Sequence, residues 1–235
     1  MDPSNSQLNR DPKSLAKSAA GKAAAGMIQP NMIVGLGTGS TAAYFIESLA
    51  QRCREGLKIK AVATSRKSYE QAFRHEIPMI DINTLVQIDV AVDGADEIDV
   101  HKRMIKGGGG ALLREKIIAS MSKEMIVIVD SSKQVDHLGA HPLPLEIVPF
   151  AYHATQHHLH QLGFFGKLRT SKDNNIFVTD NGNYIYDIQL KHPCTHPEDI
   201  NYKIRSIPGI VETGFFFGLA KIVIIGHENG KVKIQ

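Results

Sequence analysis

Cysteine is scarce in this chain. Cys53 and Cys194 are the only two among 235 residues, and no C-x-x-C pair occurs. That excludes a disulfide framework and a zinc knuckle, and two lone thiols suit a reducing compartment. Long apolar runs are also missing. The longest, over 215–225, is interrupted by Gly218 and Lys221 and falls short of the ~18–20 residues of a membrane span. Basic residues form no dense stripe, and the net charge is only +3. Neither nucleic acid nor a membrane is therefore expected as a partner. Residues 1–10 are polar and lack the apolar core of a secretion signal. The expectation is a cytoplasmic protein whose first ten residues are a disordered segment.

What is present is the balance of a folded protein. Hydrophobic residues make up 43% and charged residues 22%, which excludes a disordered chain. Asp11 and Pro12 suit the start of an Ala-rich helix over 12–25, which Gly26 would stop. Strands are then predicted at 32–36, 59–64, 86–92 and 125–129, alternating with helices at 41–53, 65–75 and 111–121. Apolar strands alternating with helices predict an α/β fold: a Rossmann-like parallel sheet with helices on both faces.

The rhythm changes near Asp130, beyond which Pro142, Pro144 and Pro149 cluster. A strand at 145–148, a helix at 152–162, strands at 176–179 and 184–189 and a helix at 197–206 suggest a smaller inserted α+β domain of ferredoxin-like type. Asn181-Gly182 is a hairpin signal between its last two strands. Strands at 219–225 and 231–234 would return to the first sheet. The expected division is a large α/β catalytic domain, 11–140 with 213–235, and a small domain, 141–212.

Four segments carry chemistry. Gly35-Leu36-Gly37-Thr38-Gly39-Ser40-Thr41 joins a strand to a helix. Backbone N–H groups at such a junction bind anions, and Thr38, Ser40 and Thr41 add hydroxyls around Gly39. A Walker A loop would need a lysine that is absent. A dinucleotide loop would want an acidic residue at the end of the second strand, where Ala63-Thr64-Ser65 stands. The second segment, Asp93-Gly94-Ala95-Asp96-Glu97, follows an apolar strand. Crowded carboxylates there raise one another's pKa, which suits acid–base work, although an acidic turn in solvent has the same pattern. The third is Lys106-Gly107-Gly108-Gly109-Gly110, which runs into a helix bearing Glu115. Four glycines between ordered elements suggest backbone wrapped around a ligand rather than a linker. The fourth, Asp130-Ser131-Ser132-Lys133, offers a second cation for an anion. Hydroxyls, lysines and carboxylates at successive strand ends on one edge suggest a sugar phosphate or a similar small acid.

Taken in order, GLGTGSTA, DGADEID, IKGGGGALLREKI and VDSSK resemble the type A family of ribose-5-phosphate isomerases, as do PLPLEIVPFA, VTDNGN and VETGFFFG further on. The resemblance covers nearly all of the chain after residue 11. It implies an aldose–ketose isomerase that interconverts ribose 5-phosphate and ribulose 5-phosphate in the non-oxidative pentose phosphate pathway, without metal or other cofactor. It also implies a homodimer or homotetramer. By the same resemblance Glu115 is the catalytic base, and Asp93, Asp96 and Lys106 surround the sugar oxygens. Lys17, Ser40, Thr41 and Lys133 resemble phosphate contacts, and Thr38, Gly39, Gly94, Ala95, Gly107, Gly108 and Gly109 complete the binding set. The chain departs from the family at His141, where an aromatic residue is common, and at Lys221, where an acidic one is.

Two other classes compete with the isomerase. A sugar-phosphate-binding regulator would carry an added DNA-binding segment, for which the ten residues before the first helix leave no room. An acyl or coenzyme A transferase would use Glu115 as a nucleophile, which the lysines and the DGADE segment make less fitting. His153, His157 and His160 fall on one helical face, yet no carboxylate or cysteine accompanies them to suggest a metal.

Overall fold

The computed structural model describes residues 11–191 and 193–235, so the expected disordered segment 1–10 lies outside the described residues. In chain order the elements are α1 (Pro12–Met27), β1 (Ile33–Leu36), α2 (Ser40–Arg54), β2 (Lys60–Ala63), α3 (Arg66–Arg74), β3 (Ile88–Asp93), β4 (Glu97–Ile98), β5 (Met104–Ile105), α4 (Leu112–Ser120) and β6 (Ser122–Asp130). There follow β7 (Leu143–Ile147), α5 (Tyr152–Gln161), β8 (Gly166–Leu168), β9 (Tyr184–Ile188), α6 (Pro197–Arg205), β10 (Ile210–Thr213), β11 (Phe215–Phe216), β12 (Ala220–Gly226) and β13 (Val232–Ile234).

The central sheet has the order β13-β12-β6-β3-β1-β2. Its pairs are parallel except at the β13 edge, which is antiparallel. Alternate residues of each strand serve opposite faces. Ile126 and Ile128 of β6 join Val34, Leu36, Phe45, Leu49 and Ala20, Ala24 and Ala25 of α1 in one core. Met125, Val127 and Val129 join Ile118, Phe216 and Val223 on the other side. Each fully buried Val or Ile contributes about 1.5–3 kcal/mol. The expected α/β class is therefore observed, with helices on both faces.

From β7 to β10 the elements run β-α-β-β-α-β and form a four-stranded antiparallel sheet ordered β10-β7-β9-β8. That is the ferredoxin-like arrangement. Its core, built on Leu145, Leu159, Tyr186 and Ile204, also takes in Ile105 and Phe215. Those two belong to a third sheet, β11-β5-β4, which bridges the other two.

Several predicted elements differ. The expected strand at 176–179 is not a ladder, because only single bridges form there, Thr170 with Ile176 and Val178 with Tyr184. The Asn181-Gly182 turn does close, with the Gly182 N–H donating to Thr179 O at 2.9 Å. Ahead of that turn the chain diverges from β9, and the Phe177 N–H donates to Arg169 O instead. Regular pairing of β9 passes instead to β7 and to β8, a Gly-Lys-Leu stretch with no apolar alternation to reveal it. Strands β4, β5 and β11 span two residues each, too few for any periodicity. Asp11 does not cap α1 with its side chain, which accepts from the Ser14 hydroxyl instead. Phe215 and Phe216 are buried in the core.

Candidate active site

β1 and β3 are neighbours, but the chain leaves β1 toward β2 and must cross back to reach β3. The connections that leave their carboxyl ends part there, which is the usual ligand position in open α/β sheets. A cleft of about 150 Å³ lies there. Every binding residue predicted from the sequence lines it except Asp93, and Glu115 lines it too. Three of the four predicted segments reach it from parallel strands β1, β3 and β6. The glycine loop does not come from a strand end of that sheet, as expected, but from β5 of the bridging sheet.

One end of the cleft gathers groups whose chemistry suits an anion. Gly39 precedes the first turn of α2, and Ser40 and Thr41 open it. Lys17 and Lys133 also face this space. α1 brings Lys17 there by docking its backbone on β12, where the carbonyl of Ala16 lies against Gly226. Lys133 is placed by Asp130, whose carboxylate accepts from the N–H and the hydroxyl of Ser132 and so fixes the turn. Thr38 differs from expectation, because its hydroxyl does not face an anion. It is turned inward among Thr64 (2.7 Å), Ser65 (2.7 Å) and Ser68 (3.3 Å). The hydroxyls that stand where a dinucleotide fold would carry an acid therefore hold this loop in place.

The other end holds a buried charge cluster. Lys106, Asp93 and Glu115 are each at most 4% exposed. The Lys106 ammonium lies 3.0 Å from Asp93 Oδ2 and 3.4 Å from Glu115 Oε2, and donates to Gly94 O at 2.5 Å. Asp93 is not on the cleft wall. It sits behind Lys106, its Oδ1 accepting from the N–H groups of Thr38 (3.0 Å) and Gly94 (2.7 Å). Gly37 makes this possible, since a Cβ there would lie 2.2 Å from Asp93 Oδ1. Asp96 does face the cleft, and its Oδ2 accepts from the Gly108 N–H at 2.7 Å. Glu97 and Asp99 do not join them. Glu97 accepts from the N–H groups of Gly139 and His141, and Asp99 from Arg103.

Burial dominates the electrostatics. It pushes the Glu115 carboxyl up to about 8, helped by the Asp93 charge and opposed by Lys106. Burial also raises Asp93, although Lys106 and the two N–H groups pull it back. Burial alone would lower Lys106, but the carboxylates of Asp93, Glu115 and Asp96 outweigh it and hold the ammonium above its ordinary pKa. One cation between two carboxylates leaves an excess negative charge, which a single shared proton removes.

The antiparallel unit grips this segment from below, which no local sequence signal announced. The Arg169 guanidinium donates to Gly107 O and Gly108 O. Arg114, beside Glu115, is held by Asn181 Oδ1 and Asp180 O, each at 2.7 Å. Buried Glu146 fixes that turn by accepting from Thr179, Asn181 and Asn183. Among the described residues no group of three or more His, Cys, Asp or Glu side chains could hold a metal ion, the histidines of α5 included. No helix among them is long and apolar enough to cross a membrane.

Fold and cleft thus define an α/β protein in which a helix start flanked by two lysines faces a buried lysine–carboxylate cluster. The family model of ribose 5-phosphate isomerase A (phosphoriboisomerase A) matches residues 60–230. Ribose-5-phosphate isomerase A of Protochlamydia amoebophila is 50% identical over 228 residues, covering 97% of this chain and 98% of that protein. The solved ribose 5-phosphate isomerase A of Methanocaldococcus jannaschii superposes with a TM-score of 0.89 at 35% identity, over 96% of this chain and 99% of that one. A D-ribose-5-phosphate isomerase solved in complex with phospho-erythronic acid superposes with a TM-score of 0.88 at 39% identity, over 94% and 97%. The chain belongs to the ribose 5-phosphate isomerase A family.

Proposed function

We propose that this chain interconverts D-ribose 5-phosphate and D-ribulose 5-phosphate by moving a proton between C2 and C1 through an enediolate, with no metal ion. The observation that carries the reading is Glu115, a buried carboxyl raised to about 8 that faces the cleft beside Lys106. A proton on carbon beside a carbonyl is weakly acidic, so its removal needs a placed base and a partner for the developing oxyanion. Glu115 and Lys106 are that pair.

The phosphate sits at the start of α2 with Lys17, Ser40, Thr41 and Lys133. Asp96, on the wall, takes the anomeric hydroxyl proton and hands it to the ring oxygen O4 as the C1–O4 bond breaks and the C1 aldehyde forms. Glu115 then removes the C2 proton, and the negative charge gathers on the C1 oxygen beside Lys106. The O2 proton passes to O1, Glu115 returns its proton to C1, and a ketone remains at C2. Asp93 does not touch the sugar; it acts by keeping Lys106 in place and charged. Phospho-erythronic acid, bound by the solved relative, has a carboxylate that spreads charge over two oxygens as an enediolate does. A site tuned to that intermediate should bind such an acid well.

The test is conversion of ribose 5-phosphate in EDTA and D2O, for wild type and Glu115→Gln side by side. Turnover by wild type, with solvent deuterium in the product and none of either from the variant, supports the reading. Loss of turnover in EDTA would point to metal-assisted chemistry. A folded wild type with no turnover would point to a sugar-phosphate-binding module.

A further inference from the structure

We propose that Arg169 is a positioning residue of this site, acting through the peptide groups of the glycine loop. The inference rests on the isomerase reading above, in which that loop faces the substrate. Arg169 follows β8 in the antiparallel unit and does not line the cleft. Its Nη1 donates to Gly107 O at 2.9 Å and Gly108 O at 3.0 Å. The rest of the fork is held by Asp187 of β9, with Nε to Oδ2 at 2.8 Å and Nη2 to Oδ1 at 2.5 Å. Phe177 lies below the guanidinium, 5.9 Å from its carbon, and fills the space where Gly110 lacks a side chain.

Peptide planarity carries the consequence. In a trans peptide the C=O and N–H point in opposite directions. With Gly107 O drawn out to Arg169, the Gly108 N–H turns inward, and it meets Asp96 Oδ2 at 2.7 Å. With Gly108 O drawn out, the Gly109 N–H turns toward the cleft that Gly109 lines, and it has no protein partner among the described residues. A cation on each carbonyl also polarises the peptide and strengthens its N–H as a donor. Arg169 therefore orients Asp96 and aims the Gly109 N–H at the oxygen that gains charge, without touching the sugar.

The experiment compares Arg169→Met, Arg169→Lys and Asp187→Asn with wild type. It records kcat, KM, melting temperature, and inhibition by inorganic phosphate and by phospho-erythronic acid. The expected result for Arg169→Met is a kcat loss of about 10–100-fold, the usual cost of a lost supporting contact, with KM changed less than about threefold. Phospho-erythronic acid should inhibit at least ~10-fold more weakly, because its carboxylate occupies the oxyanion end, while inorganic phosphate inhibits as before. Arg169→Lys should stay impaired, since one ammonium cannot hold Asp187 and two carbonyls together. Asp187→Asn should lose less. Unchanged kcat and inhibition would overturn the proposal, and so would equal weakening of both inhibitors, the mark of a merely structural support. If Arg169→Met does not fold, Arg169→Lys and Asp187→Asn decide by the same readouts. A wild type without turnover would instead fail the isomerase reading itself.

Discussion

Lys106 and Glu115 face each other across 3.4 Å, and neither is more than 4% exposed. The lysine has a second carboxylate, Asp93, at 3.0 Å on its far side. In water such charges would each be solvated and nearly independent. Here they must satisfy one another, so the protonation of Glu115 becomes a property of the folded state.

Glu115→Gln should fold and bind ligand, yet lose on the order of 10²–10⁴-fold in kcat, the usual contribution of a placed general base. For wild type, kcat/KM should rise with pH to about 8, where Glu115 releases its proton, and then level off. Steady-state kinetics from pH 6 to 9.5 check both. Near-normal kcat in the variant would remove Glu115 from the role of base.

Stability should carry the same signature. Glu115 is raised from an ordinary value of 4.5 to about 8, so above pH 4.5 the folded state keeps a proton that the unfolded chain releases. Folding from this group is thus unpenalised below about 4.5, weakens as pH rises through the window, and bears the full cost above about 8. At pH 8.5 Glu115→Gln should be more stable than wild type, by on the order of a few kcal/mol at most, and so melt higher, whereas at pH 4.5 the two should melt close together. Melting curves at the two pH values decide it, and a variant less stable at pH 8.5 would contradict the burial argument.

Lys133→Ala should raise KM more than it lowers kcat, because a phosphate contact serves ground and transition states alike. A lost charge-assisted hydrogen bond corresponds to about 10–100-fold in affinity. Inhibition by inorganic phosphate should weaken in parallel. A pure kcat loss would place Lys133 in the chemistry instead.

Gly37→Ala tests the packing behind the charges. Its methyl group would lie 2.2 Å from Asp93 Oδ1, so the carboxylate must move away from Lys106. Overpacking of this kind costs about 1–3 kcal/mol, and kcat should fall with it. An alanine variant with wild-type melting and turnover would show that Asp93 has room to shift.

Much of the site was legible in local sequence because its parts are short and contiguous. Glycines, hydroxyls, acids and lysines next to apolar strands mark the loops, and the strand–helix alternation places three of the four, those after β1, β3 and β6, on one edge. The antiparallel strand β8 was not legible, since Gly166-Lys167-Leu168 has neither length nor alternation. The inward turn of the Thr38 hydroxyl was not legible either, because its partners, Thr64, Ser65 and Ser68, lie 26 to 30 residues away.

By itself, then, the sequence determined the strand–helix order of the central sheet and the identity of the groups brought to the cleft, because periodicity and loop chemistry act over a few residues. Only the tertiary structure decided what those groups can do. It put Asp93 behind Lys106 and Asp96 in front, spent Glu97 on the backbone at Gly139 and His141, and set Arg169 beneath a glycine loop 61 positions earlier in the chain. Removal from water and the approach of distant charges raise a carboxyl from 4.5 to about 8, and both exist only once the chain has closed around it.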